Sequence, residues 1–402
     1  MKRNEYLQKA ETYLQTLCGV KPNRCLGSKG NCEATDYVSQ LLRQWDFKID
    51  TSKFECLDYI SRETYLKSKD RNYEVYISPY SLGCDITDEL VTVSTVCELE
   101  KCECKNKILL MKGELCAEQL MPKNFPFYNL DHHKKIYLLL EDKQPSAIIT
   151  AIKRKPEMGG ALYPFPLIVD GDFNIPNVYC SDKIGEKISE KKGELFNLKI
   201  NSNRISSTAC NVIAQKNVDK RKKIVICAHI DAYENSPGAS DNASGIVVEL
   251  LLAEMLSKYQ GDYCVEIIAF NGEDHYSAGG QMDYLHRYEK DLERIILAIN
   301  VDGVGYKFGK SAYSLYEFPD NIKQKANMVF SNYKDIIKGE QWYNGDHMIF
   351  VKYSKSTIAF TAEKVSELMA TYTHTSKDTP AIIDCEKLVD VALALQNLII
   401  QF

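Results

Sequence analysis

The feature that most restricts what this chain can fold into is a strand-then-helix rhythm beginning at Lys222. Ile224-Val225-Ile226-Cys227-Ala228 is the continuous, β-branched run expected of a strand buried on both faces. Gly245 to Leu256 is nearly all apolar, which calls for a helix packed deep on a sheet. Cys264 to Phe270, Ile295 to Val301 and Ser356 to Thr361 repeat the strand signal, and a closing helix carries Leu388, Val391, Ala392, Leu395, Leu398 and Ile399 at helical spacing. This alternation specifies an α/β fold with a mostly parallel, helix-covered mixed sheet. Ligands of such sheets gather at the carboxyl ends of the strands. His229 and Asp231 fall just after the first strand, Glu273 and Asp274 after the second, and Asp302 at the end of the third.

The remainder of the chain has another texture. Its 402 residues exceed what one core usually serves, so two units are expected. Residues 5 to 45 read as two helices, the second from about Glu33 to Trp45, with an extended segment near Phe47 to Phe54. From about 66 to 195, short alternating stretches such as Leu90-Val91-Thr92-Val93 are separated by irregular, Pro-containing loops. The expected organisation is a first part of the main domain over 1–65, a β-rich insertion over 66–195, and the site-bearing part over 196–402.

Fifty basic against fifty-five acidic residues give a net charge of -5, which supplies no electrostatic footprint for nucleic acid or an anionic membrane. The basic run Lys220 to Lys223 reads as a solvated turn. No stretch approaches the ~20 apolar residues of a membrane span, and Met1-Lys2-Arg3-Asn4-Glu5 does not open a signal peptide, so the expected compartment is the cytoplasm. The fourteen cysteines are therefore expected to be reduced; Cys97, Cys102 and Cys104 lack the paired C-x-x-C spacing of a zinc ribbon and read as inert thiols.

The candidate chemistry lies in five short segments. In Ala228-His229-Ile230-Asp231 the two-residue strand period points His229 and Asp231 the same way, so that the carboxylate can orient the imidazole; a histidine at a strand end can equally be structural. Pro237 to Gly245 is small and polar, and Asp241 within it is either a helix N-cap or a carboxylate approached closely enough to bridge two cations about 3.5–4 Å apart. Glu273 and Asp274 are adjacent acids whose side chains diverge, so Asp274 can bind metal while Glu273 faces a metal-bound water as general base. Asp302 adds a further acid, and His374 a second imidazole, with Asp378 as its candidate hydrogen-bonding partner. Two imidazoles and three carboxylates, one of them bridging, give each of two ions three protein ligands and leave room for a shared hydroxide, a pattern that suits zinc.

The order of these pieces, H-x-D, P-G-A-x-D-N-A-S-G, an acidic pair after a strand, N-x-D and H-T-x-x-D-T, resembles peptidase family M28, which includes bacterial aminopeptidases and glutamate carboxypeptidase II. The resemblance runs from Asn211 to the C-terminus, with Gly27 to Asn31 similar to an early loop of the family. It implies a zinc exopeptidase fold with two Zn2+ ions, His229 and Asp302 on one, Asp274 and His374 on the other, Asp241 bridging, and Glu273 as general acid/base. Tyr372 resembles an oxyanion-stabilising, substrate-binding tyrosine of some members, although many carry theirs directly before the histidine. The family usually has Glu where this chain has Asp274, a difference of ~1.5 Å in reach. His275 and His347 read as structural or substrate-facing. The middle unit resembles a protease-associated domain, which in relatives roofs the site and size-selects substrates.

The resemblance thus implies a metallo-aminopeptidase acting on peptides or small amides, with a metal-bridging hydroxide as nucleophile. Three alternatives stay open: a carboxypeptidase on the same site, a glutaminyl cyclase-like acyltransferase, and a non-catalytic scaffold. The sequence does not fix the oligomeric state.

Overall fold

A computed structural model describes residues 2–154, 162–163 and 165–401. The chain forms two compact units, one made of Met1–Cys56 with Ser207–Phe402 and one of Leu57–Ser206. The second runs past the expected 66–195 limits at both ends. The reason is that the long strands Lys53–Lys67 and Leu195–Cys210 belong to its sheet for most of their length, and alternating polar positions concealed their extent.

Among its described residues, the first unit holds an eight-stranded mixed sheet. The four central strands, Cys264–Phe270, Lys223–His229, Ile295–Val301 and Thr357–Ala362, are mutually parallel. Antiparallel neighbours flank them, Val212–Lys216 beside Cys264–Phe270 and Ser311–Tyr316 beside Thr357–Ala362. The first two strands are buried at every position, as expected for a sheet covered on both faces. The helix Ser244–Met255 is buried over its first ten residues and packs among Leu388, Val391 and Leu395 of the closing helix Cys385–Gln401. The sequence reading of a deep apolar helix against a sheet is therefore realised within two residues at each end.

The second unit has a nine-stranded sheet among its described residues. Alternate side chains of Ile108–Met111 and Ala147–Arg154 enter two separate apolar clusters, one joined by the helix Asp131–Lys143 and the other by Asp182–Ser189. That two-sided burial explains the continuous apolar stretch from Ile108 to Met111.

All fourteen cysteines are free thiols. No described helix is long and apolar enough to cross a membrane.

Candidate metal centre

His229 is the last residue of its strand, in register with Phe270 at the end of the neighbouring one. Asp302 follows Val301, its amide donating to the Phe360 carbonyl at 3.0 Å. Glu273 and Asp274 occupy the turn after Phe270. The strand ends thus set four of the six groups along one rim of the sheet.

Asp241 comes from the segment entering the Ser244–Met255 helix, and that helix is capped without it. One of its N-terminal amides, Gly245 N, is met by Asn242, whose Oδ1 accepts from it at 2.9 Å while Nδ2 donates to the Val301 carbonyl at 2.9 Å. This leaves the Asp241 carboxylate free for other partners, and the N-cap alternative does not hold. Glycine is required at two places here. Gly238 has φ +61 and an added Cβ would lie 2.5 Å from the Asp241 carbonyl, and a Cβ on Gly245 would lie 2.2 Å from the Val301 carbonyl.

The two histidines and three aspartates converge. His229 Nε2 lies 3.1 Å from Asp241 Oδ1 and 3.9 Å from Asp302 Oδ1. His374 Nε2 lies 3.2 Å from the other Asp241 oxygen, Oδ2, and 2.8 Å from Asp274 Oδ1. Asp241 therefore offers one oxygen to each histidine. Ligand atoms bound at about 2.0–2.1 Å to a tetrahedral zinc stand about 3.3 Å apart, and the 3.1 and 3.2 Å separations from Asp241 to the two imidazoles are close to that. One atom each from His229, Asp241 and Asp274 lies within 4.8 Å of the others.

The electrostatics agree with that fit. Burial, opposed by His229 and reinforced by Asp241 and Asp346, pushes the Asp302 carboxyl up to about 8. Burial also raises Asp274 and Glu273, with repulsion from Asp241 adding at Asp274 and from Asp274 at Glu273. Both histidines are held well above their usual range in spite of burial, His229 by Asp231 and Asp241, His374 by Asp274 and Asp241. So many desolvated carboxyl groups require protons or cations among them. Asp274 Oδ2 is buried with no hydrogen-bond partner among the described residues. An oxygen in that condition fits a metal ligand.

Two supporting acids act differently from the sequence reading. Asp231 was expected to orient His229 through its carboxylate. Nδ1 of His229 is nearer the Asp231 carbonyl, at 3.2 Å, than its carboxylate, at 3.6 Å. The carboxylate instead accepts from the amides of Gly272, Glu273 and Asp274 at 2.7, 3.3 and 3.0 Å, clamping the acidic turn. Asp378, expected beside His374, accepts from Ser240 N and Oγ at 2.7 and 2.8 Å and from Asp241 N at 3.1 Å. Both carboxylates serve backbone amides, which no side-chain pattern in the sequence displays.

Tyr372 turns its ring toward Tyr306, with centroids 6.1 Å apart, and packs on the core. A different tyrosine, Tyr233, lies on His374. His275 Nδ1 accepts from Ser277 N at 3.2 Å, a local turn contact. His347 is fully buried against Trp342 and Tyr316, its Nε2 2.9 Å from the Trp342 carbonyl, and burial pulls it down to about 4. It is a neutral structural histidine.

Sequence reasoning missed two groups. Asp346 is 1% exposed and bonded through Oδ1 to Gln281 Nε2 at 2.8 Å; burial and repulsion from Asp231 and Asp274 push it up to about 7. Only its place between Gly345 and His347 could have drawn notice. Arg24 is 2% exposed and donates to the carbonyls of Leu17, Ile230, Pro237 and Gly238, tying the segment after His229 to the one before Asp241.

Residues 211–399 match the model of peptidase family M28. Aminopeptidase YwaD of Bacillus subtilis is 26% identical over 232 residues, 56% of this chain and 50% of that protein, so the match spans half of that relative's length. The structure of an aminopeptidase from Aneurinibacillus sp. strain AM-1 superposes with a TM-score of 0.76 at 23% identity, covering 98% of this chain and 93% of that one. That of BSAP, a zinc aminopeptidase from Bacillus subtilis, superposes with a TM-score of 0.75 at 19% identity, covering 98% and 94%. With its strand-end acids, its two histidines and its matched segment in agreement, the part of this chain spanning residues 211–399 is a peptidase family M28 domain.

Proposed function

We propose that this protein is a zinc-dependent metallo-aminopeptidase that holds two Zn2+ ions. His229 and Asp302 would hold one, Asp274 and His374 the other, and Asp241 both. The observation that carries this reading is the division of the Asp241 carboxylate, with Oδ1 at 3.1 Å from one imidazole and Oδ2 at 3.2 Å from the other. When bound, the ions supply Lewis-acid polarisation of the scissile carbonyl and an acidified water.

The chain's own residues then have defined work. Glu273 is half-buried in an acidic neighbourhood that raises its proton affinity, so it can take a proton from the attacking water and pass it to the departing amine. Asp231 fixes that residue by holding three successive amides of its turn. Amine rather than carboxylate recognition is favoured by the acidic site and by Arg24, whose guanidinium is buried and engaged by four backbone carbonyls and so cannot clamp a substrate carboxylate. The fourteen free thiols suit a reducing compartment, and we place the enzyme in the cytoplasm. We read the Leu57–Ser206 unit as a protease-associated domain.

The test joins metal analysis of the purified chain to a panel of free and N-blocked aminoacyl amides, repeated on Glu273→Gln. The expected result is zinc near two equivalents, cleavage of free-amine substrates only, and a loss of about 10²–10⁴-fold in kcat for the variant with its zinc retained. Cleavage of blocked substrates alone would overturn the aminopeptidase reading, and unchanged turnover in Glu273→Gln would overturn the assigned base.

A further inference from the structure

We infer that Tyr233 is a positioning residue for His374 and sets the affinity of the ion position that His374 serves. The inference rests on the two-ion reading above and goes beyond it by naming what holds one ligand in place.

The rings of Tyr233 and His374 are stacked, with centroids 4.5 Å apart and planes 12° from parallel. His374 needs such support more than His229 does. Its backbone lies at φ +59, a left-handed conformation that side chains disfavour, and it belongs to no strand or helix. The terminal torsion of a histidine is broad, so the sequence around it does not fix the plane of its ring. A flat partner in parallel contact does fix that plane, and with it the direction of Nε2 toward Asp241 and Asp274.

Tyr233 is itself well anchored. Ala232 N donates to the Arg24 carbonyl at 3.3 Å and Ser236 N to the Tyr233 carbonyl at 3.1 Å, while Arg24 grips Ile230 before it and Pro237 and Gly238 after it. The backbone carrying the platform is therefore tied on both sides of Tyr233. An imidazole that has given its lone pair to a cation is electron-poor and is attracted to the negative face of a phenol ring. By fixing the plane of the ring the stack fixes the direction of Nε2, which couples Tyr233 to metal affinity and not merely to folding.

Zn2+ alone is titrated into the metal-stripped full chain by calorimetry, for wild type, Tyr233→Leu and Tyr233→Phe, with thermal unfolding of each metal-free protein alongside. The expected result is that Tyr233→Leu weakens one of two zinc steps by about 10–100-fold, as for other groups that orient metal-binding histidines. The other step and the metal-free melting temperature stay near wild type, and Tyr233→Phe restores the weakened step. Tyr233→Met, which fills similar space without a flat face, replaces the leucine variant if that one is not recovered folded. Equal zinc steps in wild type and the non-aromatic variants overturn the inference while leaving the two-ion reading intact. A phenylalanine variant as weak as the leucine one also overturns it, because the ring face then is not what matters. Wild type that takes up no zinc overturns both.

Discussion

His229 stands on the last residue of a central parallel strand with its side chain 1% exposed, whereas His374 stands on a loop at φ +59 with its side chain 27% exposed. Each faces one oxygen of Asp241 at nearly the same distance, 3.1 and 3.2 Å. Near-symmetric ligand geometry is thus reached by unlike means. On the His229 side the sheet does the positioning: the strand is paired on both edges, and Ile230 N continues the ladder to the Phe270 carbonyl at 2.8 Å. On the His374 side, contacts between loops do it. A strand end is held by interactions that the fold needs anyway, while a loop must be held by residues dedicated to that purpose.

The sharpest way to break this comparison is to truncate each imidazole in the metal-free chain. Removing the His229 ring opens a buried space and strands the carboxylates around it, and should lower the unfolding midpoint by the equivalent of about 2–4 kcal/mol. His374→Ala removes a partly exposed ring from a loop and should cost under about 1 kcal/mol, and His374→Gly should be the more stable of the two replacements at that site because it relieves the positive φ. Denaturant unfolding of the three proteins decides the matter. Equal losses at both positions would show that the loop is as much a part of the folded framework as the strand.

A second, smaller effect separates the two anchoring acids. Asp378 holds Asp241, which faces both histidines, so Asp378→Asn should weaken both zinc steps. Asp231 holds the turn of Glu273 and Asp274, while His229 leans on its carbonyl, which Asn retains. Asp231→Asn should therefore weaken mainly the step that Asp274 and His374 serve. Losses of about 10–100-fold are expected in each case. Zinc titration of both variants that showed the same pattern would remove the distinction between the halves.

The same contrast governs how much could be read from the sequence. Cys264–Phe270 and Ile295–Val301 were legible to the residue because a strand buried on both faces leaves an uninterrupted apolar signature. The residues at their carboxyl ends followed from position alone. Asp241 was ambiguous, since a helix cap and a shared ligand demand the same residue type; only the finding that Asn242 does the capping separates them. Asp231 and Asp378 were assigned to the nearest histidine in sequence, yet their partners are amides 41 to 43 and 137 to 138 residues away. Arg24 and Tyr233 act on segments far from them in order, through carbonyl groups and a ring face, and neither leaves a periodic or motif-like trace. What the sheet positions is legible from pattern, and what the loops position is legible only from coordinates.

Asp274 provides the finest probe of the loop-built half. The family resemblance places Glu there, and the shorter side chain has ~1.5 Å less reach. Asp274 Oδ1 nonetheless lies 2.8 Å from His374 Nε2, and the backbone amide donates to Asp231 Oδ2 at 3.0 Å. Restoring glutamate would then overfill the site by one methylene, with a side chain only 6% exposed and His374 already held at its edge by Asp274 and on its face by Tyr233. Asp274→Glu is expected to lower affinity at the His374 step by about tenfold, equivalent to 1.4 kcal/mol, and to leave the His229 step unchanged. A second change, Asp231→Asn, loosens the turn and should return part of that loss, so that the double variant binds zinc better than the sum of the two single effects allows. Strict additivity in that cycle would mean that the turn is not what adapts this site to aspartate, and the shorter ligand would then need another explanation in the placement of His374.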